Sequence, residues 1–292
     1  MLHLHRFTEA RKFLDLTSGF LAAHEAENNL IIGLAGLLHR NPAAYGANQP
    51  YFGAVSAGSK VVAAGLMTPP NQAVLSWSEH EEAVRMLAGD VWTFRLDTPG
   101  VHGPRPTSVW FSEAWDTLTS LEPILNMAER AFRLERVVPV TGVPGSLRPV
   151  RDDELPLIAD WSAAFEAEAL ARSVNPPHTA AEFLTLWRKT PATPPELGAR
   201  MVWDVDGRPV SYAYYKAPTP NGMRIGPVYT PPEHRRHGYA SALVAGVSSL
   251  ILGLGKRYVY LYADTANLTS NHIYQAIGFE PICDVDEYRF GA

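Results

Sequence analysis

The chain alternates between two spacings of apolar residues, and the order of those spacings repeats. Residues 1–8 alternate apolar and polar, the period of a strand. Helical spacing follows over about 9–23 and 25–39. Then "YFGAVSAGSKVVAAGLMTPPNQAVLSWS" reads as three short strands, broken at Gly58-Ser59 and at Pro69-Pro70-Asn71. The pattern next predicts a helix near 79–90, a strand at 91–96, a turn beginning at "GVHGPRP" and a further helix. The alternating "ERAFRLERVV" closes the half.

The glycine, proline and small residues of "VPVTGVPGS" (138–146) mark a linker, so the predicted domains are 1–140 and 145–292. The second half begins with the strand "SLRPVR" and a helix from Asp152–Asp153. Another helix, "TAAEFLTLWRK", comes after the loop "VNPPH". "ARMVWDVDGRPVSYAYYK" carries an Asp-Gly pair between alternating runs, the signature of a tight hairpin. The strands "MRIGPVYT" and "RYVYLYA" flank a helix that Gly255 caps, and "TSNHIYQAI" and "FEPICDVDEYRF" end the chain as helix and strand. Both halves thus share one element order without residue-level repetition, which points to a divergent duplication.

Composition narrows the class. With 292 residues, two domains are the ordinary expectation, and 46% hydrophobic with 19% charged residues is the make-up of a globular protein. A formal net charge of -5 argues against a nucleic-acid partner. No apolar run is long enough for a membrane span. "MLHLHRFTEARKF" turns polar too early for a secretory signal, and a single cysteine excludes an intrachain disulfide, so a cytoplasmic protein is expected.

Candidate chemistry concentrates in "PPEHRRHGYASALV" (231–244), where a strand passes into a helix. A helix start exposes unpaired N–H groups and attracts anions. Gly238, Ala240 and Ser241 keep that surface low, and Arg235 and Arg236 add planar donors suited to phosphate. There is no G-x-x-x-x-G-K-[ST] motif, and the one G-x-G, at 253–255, ends a helix instead of opening one.

"RRHGYA" (235–240) resembles the [QR]-x-x-G-x-[GA] signature of the GNAT N-acetyltransferase superfamily. "NLTSNHIYQAIGFEP" (267–281) resembles that family's downstream N-x6-Y-x3-G-F segment. The resemblance covers about 145–292 and implies an α/β fold, a mixed sheet flanked by helices, in two GNAT-like domains. It implies acetyl-CoA as co-substrate, with Val228, Tyr229 and Thr230 beside pantetheine. Arg235, Arg236, His237, Gly238, Tyr239, Ala240 and Ser241 would line the pyrophosphate, and Asn267, Ser270 and Asn271 would lie near the pantetheine arm. Tyr274 corresponds to the family's proton donor to the leaving thiolate. Glu166 and Glu168, two apart on one helix, are alternative bases. The first half lacks both motifs; its equivalent turn is taken as "GVHGPRPTSVWF", so it is expected to be degenerate. The acceptor implied is a primary amine on a small molecule, with no nucleic acid, membrane or metal. The alternative is a CoA-binding regulator without catalysis. His234 and His237 have no cysteine or further histidine cluster to complete a metal site. His3 and His5 read as surface residues, Cys283 as an inert buried thiol, and Tyr212 and Tyr214 as neighbours on one strand face.

Overall fold

The structure, a computed structural model, describes residues 1–169, 177–189 and 194–291. The first half runs β1 (Leu2–Phe7), α1 (Ala10–Ala23), α2 (Asn29–Arg40), β2 (Tyr51–Ala57), β3 (Lys60–Met67) and β4 (Ala73–Leu75). It continues with α3 (Glu81–Phe94), β5 (Gly100–Pro104), α4 (Thr107–Thr119) and β6 (Ile124–Leu134). The second half runs β7 (Ser146–Pro149), α5 (Leu155–Ala169), α6 (Ala180–Lys189), β8 (Gly198–Val205), β9 (Arg208–Lys216) and β10 (Gly222–Tyr229). It ends with α7 (Tyr239–Gly253), β11 (Tyr258–Asp264), α8 (Leu268–Ile277) and β12 (Glu280–Arg289). The duplicated element order expected from the sequence is present. Part of the "VNPPH" loop lies outside the described residues.

The chain divides into two compact units: residues 1–131 with 264–266 and the stretch from 282, and residues 132–263 with 267–281. In the first unit β1, β2, β3 and β4 pair antiparallel in sequence order, and β4 pairs parallel with β5. The other neighbour of β5 is β12, antiparallel, with Glu287 opposite His102. The C-terminal strand therefore belongs to the N-terminal unit, where the sequence division at 140–145 had grouped it with the second half. Gly100 permits this approach, because a Cβ there would lie 2.2 Å from the Tyr288 carbonyl oxygen. Residues of period two separate the faces: Phe52, Ala64, Leu66 and Val74 pack under α1 and α2. Tyr51, Ala63 and Leu75 pack with Leu87, Phe111 and Trp115 of α3 and α4.

Two expectations for this half are corrected. Residues 91–94 are helical, because Val84, Leu87, Ala88 and Val91 form one buried stripe at helical spacing and extend α3 through the apolar residues that looked like a strand. The strand is 100–104 instead, so "GVHGPRPTSVWF" is not the counterpart of the glycine-bearing turn at 235–240. By element order, that counterpart is 76–80, between β4 and α3.

In the second unit β7, β8, β9 and β10 are successive antiparallel neighbours, and β10 pairs parallel with β11. The Asp206–Gly207 hairpin forms as expected, with φ of 51° and 80° at its two central residues. Met201, Ala213, Tyr215, Met223 and Ile225 face Leu243, Val247 and Ile251 of α7. Val202, Tyr212 and Tyr229 face Ile158 and Trp161 of α5 on the other side. Burying each large aliphatic or aromatic side chain stabilises the unit by about 1.5–3 kcal/mol.

One ionic network pins β7 to β8 and to the turn before α5. Arg148 contacts Glu154 and Asp204, each at 2.6 Å, and Glu154 also accepts the Arg151 backbone N–H at 2.9 Å. This carboxylate, not Asp152 or Asp153, serves the helix approach. The Arg148 guanidinium holds the Glu154 carboxyl at about 2, well below the carboxylate range. Its lowered native pKa means the contribution is complete above the unfolded value near 4.5 and is lost as pH falls toward 2. Arg148→Met strands two largely buried carboxylates. It should destabilise the unit by about 3–5 kcal/mol at pH 7, and by less at pH 3. Thermal melts at both pH values measure this.

Candidate active site

Strands β10 and β11 pair at Gly222–Tyr258, Met223–Val259 and Arg224–Tyr260, and there their pairing stops. Both strands continue, β10 to Tyr229 and β11 to Asp264, so they part like the arms of a wedge. On its other side β10 stays with β9 through a shift of one residue between Ile225 and Val228. Gly226, at φ 151°, occupies the bulge, and Pro227 contributes no N–H. Val228 packs toward the α7 core, and buried Tyr229 toward α5. The Thr230 hydroxyl lies 2.8 Å from that of Ser211.

The chain leaves β10 through Pro231 and a single tight turn at Pro232–His234. Arg236 and Gly238 both take left-handed backbone conformations, φ 66° and 79°, before α7 begins at Tyr239. The first backbone bond of the helix is Ala242 N–H to the Gly238 carbonyl, 3.0 Å. Among the described residues, the N–H groups of Arg236, His237 and Gly238 make no backbone hydrogen bond outside helices and strands, and those of Tyr239, Ala240 and Ser241 lie in the first turn of α7, where a helix offers no internal acceptor. Six successive donors at the positive end of a helix form a nest for an anion of diphosphate size. A Cβ on Gly238 would lie 2.9 Å from Val143 Cγ2, so the turn is closed to larger residues. Of the seven residues that the sequence assigned to pyrophosphate, six make up this run, and Arg235 N–H bonds the Pro232 carbonyl instead, at 3.3 Å.

The side chains around the nest sort differently. Arg236 is exposed. Arg235 is not directed to the nest: its Nε donates to the Thr230 carbonyl at 2.9 Å and its terminal nitrogen to Glu168 at 2.7 Å. Tyr229 donates to the same carboxylate at 3.0 Å. His237 stacks on Tyr239 with ring centroids 5.3 Å apart, and His234 meets the edge of that ring. No cluster of three or more His, Cys, Asp or Glu able to hold a metal occurs among the described residues.

Of the two candidate bases, Glu168 is therefore taken up by Arg235 and Tyr229. Glu166 accepts the His178 backbone N–H at 2.6 Å and lies 3.1 Å from the His178 ring nitrogen. Both carboxylates are thus engaged by neighbours within the chain. Glu168→Gln should lower kcat by less than about tenfold, well under the loss of a general base, as steady-state kinetics would show.

On α8, the Asn267 side-chain oxygen accepts the Ser270 N–H at 3.1 Å and so caps the helix, while Asn271 donates to the Asn267 carbonyl at 2.9 Å. Tyr274 sits half-buried against Phe132 and Phe279. Burial pushes its phenol up to about 12, and the Ser270 hydroxyl opposes this only in part. The ring is a neutral hydrogen-bond donor at every ordinary pH. Burial likewise pushes the Cys283 thiol up to about 12, leaving it unreactive.

The α5 side of the sheet holds residues that the sequence did not single out. Arg200 on β8, Lys216 on β9 and Arg224 on β10 occupy facing register positions. The pairing of Tyr212 with Tyr214 on one face was legible from period-two spacing. Their convergence with residues of two other strands was not.

The parallel strands β10 and β11 part just before the glycine-bearing start of α7 in a mixed α/β fold. The chain carries a domain of the acetyltransferase (GNAT) family, whose profile matches residues 161–279. That family places the domain among acyltransferases that draw on acetyl-CoA. No curated protein matches the sequence. Among solved structures, a tandem GNAT protein from the clavulanic acid biosynthesis pathway is similar over 100% of this chain and 98% of its own. Its TM-score is 0.58 at 16% identity. A GCN5-related N-acetyltransferase from Sphaerobacter thermophilus covers 99% and 95%, with TM-score 0.57 at 16% identity. A Drosophila protein covers 99% and 98%, with TM-score 0.64 at 12% identity. These likenesses establish the tandem GNAT fold across the whole chain. Among the described residues no helix is long and apolar enough to cross a membrane.

Proposed function

We propose that this protein is an N-acetyltransferase that moves an acetyl group from acetyl-CoA to a primary amine of a small molecule, by direct attack. The observation that carries the reading is the run of six unpaired N–H donors where β10 and β11 part. Three of these donors open α7, as at any helix start, and three belong to the turn before it; together they fit a diphosphate. When bound, acetyl-CoA supplies the activated acyl thioester. Residues 236–241 hold its diphosphate, and the free edge of β10 near Val228 and Tyr229 aligns the arm and offers an N–H to the carbonyl. Positioning of the amine accounts for much of the rate. With pKa about 12, Tyr274 serves as a hydrogen-bond donor to the developing thiolate. Glu166 and Glu168 both have internal partners, so the amine proton leaves through water.

The first unit is a degenerate partner that does not bind CoA. Three donors of its counterpart turn are already taken: Ser76 N–H bonds the Ala64 carbonyl, Trp77 N–H the Asn28 side chain at 2.7 Å, and His80 N–H the Ser78 hydroxyl at 2.9 Å. Glu81 and Glu82 in the first turn of α3 add negative charge where a diphosphate would sit. A non-catalytic CoA-binding regulator is the second reading, and the presence of Tyr274 at the position of the family's proton donor argues against it. Thiol release from acetyl-CoA in the presence of a panel of amines tests the proposal. Release that depends on the amine supports it; tight CoA binding with no release on any amine favours the regulator.

A further inference from the structure

Three cations gather on the α5 face of the second unit. In the antiparallel register, Arg200 stands opposite Tyr214, and Lys216 stands opposite Arg224. Directly paired residues share a face. Tyr214 carries two of the charges on its ring: the Arg200 guanidinium lies 5.0 Å from its centroid and the Lys216 ammonium 5.2 Å. Trp187 of α6 covers Arg200 from another side at 4.1 Å.

Like charges held together in a half-buried place repel one another, and burial raises the cost. For Arg200 and Lys216 the described residues offer little to offset it. Among the described residues no carboxylate comes within ion-pair distance of Arg200 or Lys216. The Arg200 Nε is buried without a hydrogen-bond partner, although its guanidinium also interacts with the Tyr212 hydroxyl. Lys216 bears the strain: burial first, then Arg224 and Arg200, lower its ammonium to about 8, and Glu166 offsets this only in part. Opposite Lys216 on β8 stands Gly198, which adds no side chain over it.

The position matters as much as the charge. Arg224 is the last residue of β10 paired with β11, two residues before the bulge at Gly226 where the strands part. The nest at 236–241 lies beyond the opposite end of that bulge. We infer that Arg200, Lys216 and Arg224 bind an oxyanion of the acceptor, a carboxylate or a phosphate, so that the substrate is an amine bearing an acidic group. An arginine fork clamped between two aromatic rings beside an ammonium suits either oxyanion. This inference rests on the acetyltransferase reading for the identity of the occupant as acceptor.

The test titrates the full-length protein, saturated with CoA so that no chemistry occurs, with 4-aminobutyrate, O-phosphoethanolamine and butylamine by calorimetry. At least one of the two acidic amines should bind about tenfold or more tightly than butylamine, as expected for a charge-assisted contact. Which one prefers the site tells carboxylate from phosphate. Arg200→Gln and Lys216→Met should each erase the preference, while Lys216→Arg retains it. Butylamine binding as well as both acidic amines, no binding by any, or a preference that survives Arg200→Gln and Lys216→Met overturns the inference. Thiol release from acetyl-CoA, followed in parallel, separates the two readings. Turnover of neutral amines without the binding preference removes only the oxyanion site. A clear binding preference without turnover on any amine removes only the catalysis.

Discussion

Gly238→Val abolishes acetyl-CoA binding while the protein stays folded. Valine at φ 79° enters a conformation that costs a β-branched residue about 1–2 kcal/mol, and its Cβ falls 2.9 Å from Val143 Cγ2. The strain is small beside the loss of ligand contacts. Each hydrogen bond to a charged oxygen contributes about 1.5–3 kcal/mol, so blocking two of the six donors weakens binding by roughly 10²–10⁴-fold. Calorimetry with CoA reads the affinity, and a thermal melt confirms the fold. Gly238→Ala, with less bulk, should fall between. No residual site is expected to remain, because at the counterpart turn the N–H groups of Ser76, Trp77 and His80 already have acceptors, and Glu81 and Glu82 add negative charge. Unchanged affinity in the valine variant would show that the diphosphate lies elsewhere.

Tyr274→Phe lowers kcat by about 10²–10⁴-fold and leaves the KM for acetyl-CoA nearly unchanged. The substitution keeps the ring that packs on Phe132 and Phe279 and removes only the donor. The pH profile gives an independent check. Burial raises the native pKa of the phenol to about 12, so the hydroxyl keeps its proton from acid through pH 10 and loses it only near 12. The wild-type kcat should therefore show no descending limb from this group below pH 10. A limb near pH 8–9 that disappears in Tyr274→Phe would contradict the buried, neutral phenol.

Much of this site was legible because its parts are contiguous. The donors at 236–241 follow one another along the chain, and local geometry makes them converge: a left-handed Arg236, a left-handed Gly238, then a helix. Asn267 and Tyr274 are spaced to share α8, and the short spacing set their relation too. The charged groups were less legible. Arg235 looked like a phosphate ligand from its position, yet Glu168, 67 residues earlier, draws it away. Glu168 looked like a candidate base for the same reason, since neither residue reveals its partner in sequence.

The first half shows where periodicity misleads. The run "VWTF" is apolar and rich in strand formers, but Val91 completes a stripe begun at Val84, and α3 carries through to Phe94. The glycines of "GVHGP" looked like turn residues, yet they lie in a strand paired with β4 and β12, where Gly100 lets the Tyr288 carbonyl approach and Gly103 leaves room for the Leu75 side chain. Assigning the wrong counterpart turn followed from that error.

By itself, the sequence determined the number and order of elements, the Asp206–Gly207 hairpin, and the glycine-bearing start of α7. These depend on side-chain period and on backbone preferences within a few residues. Only the tertiary structure decided that β12 joins β5, that Arg235 turns to Glu168, and that Arg200, Lys216 and Arg224 share one face. Alternation tells which residues of a strand point the same way, but not which strand lies beside it. That choice is made by burial and pairing across the chain, where distance in sequence carries no weight.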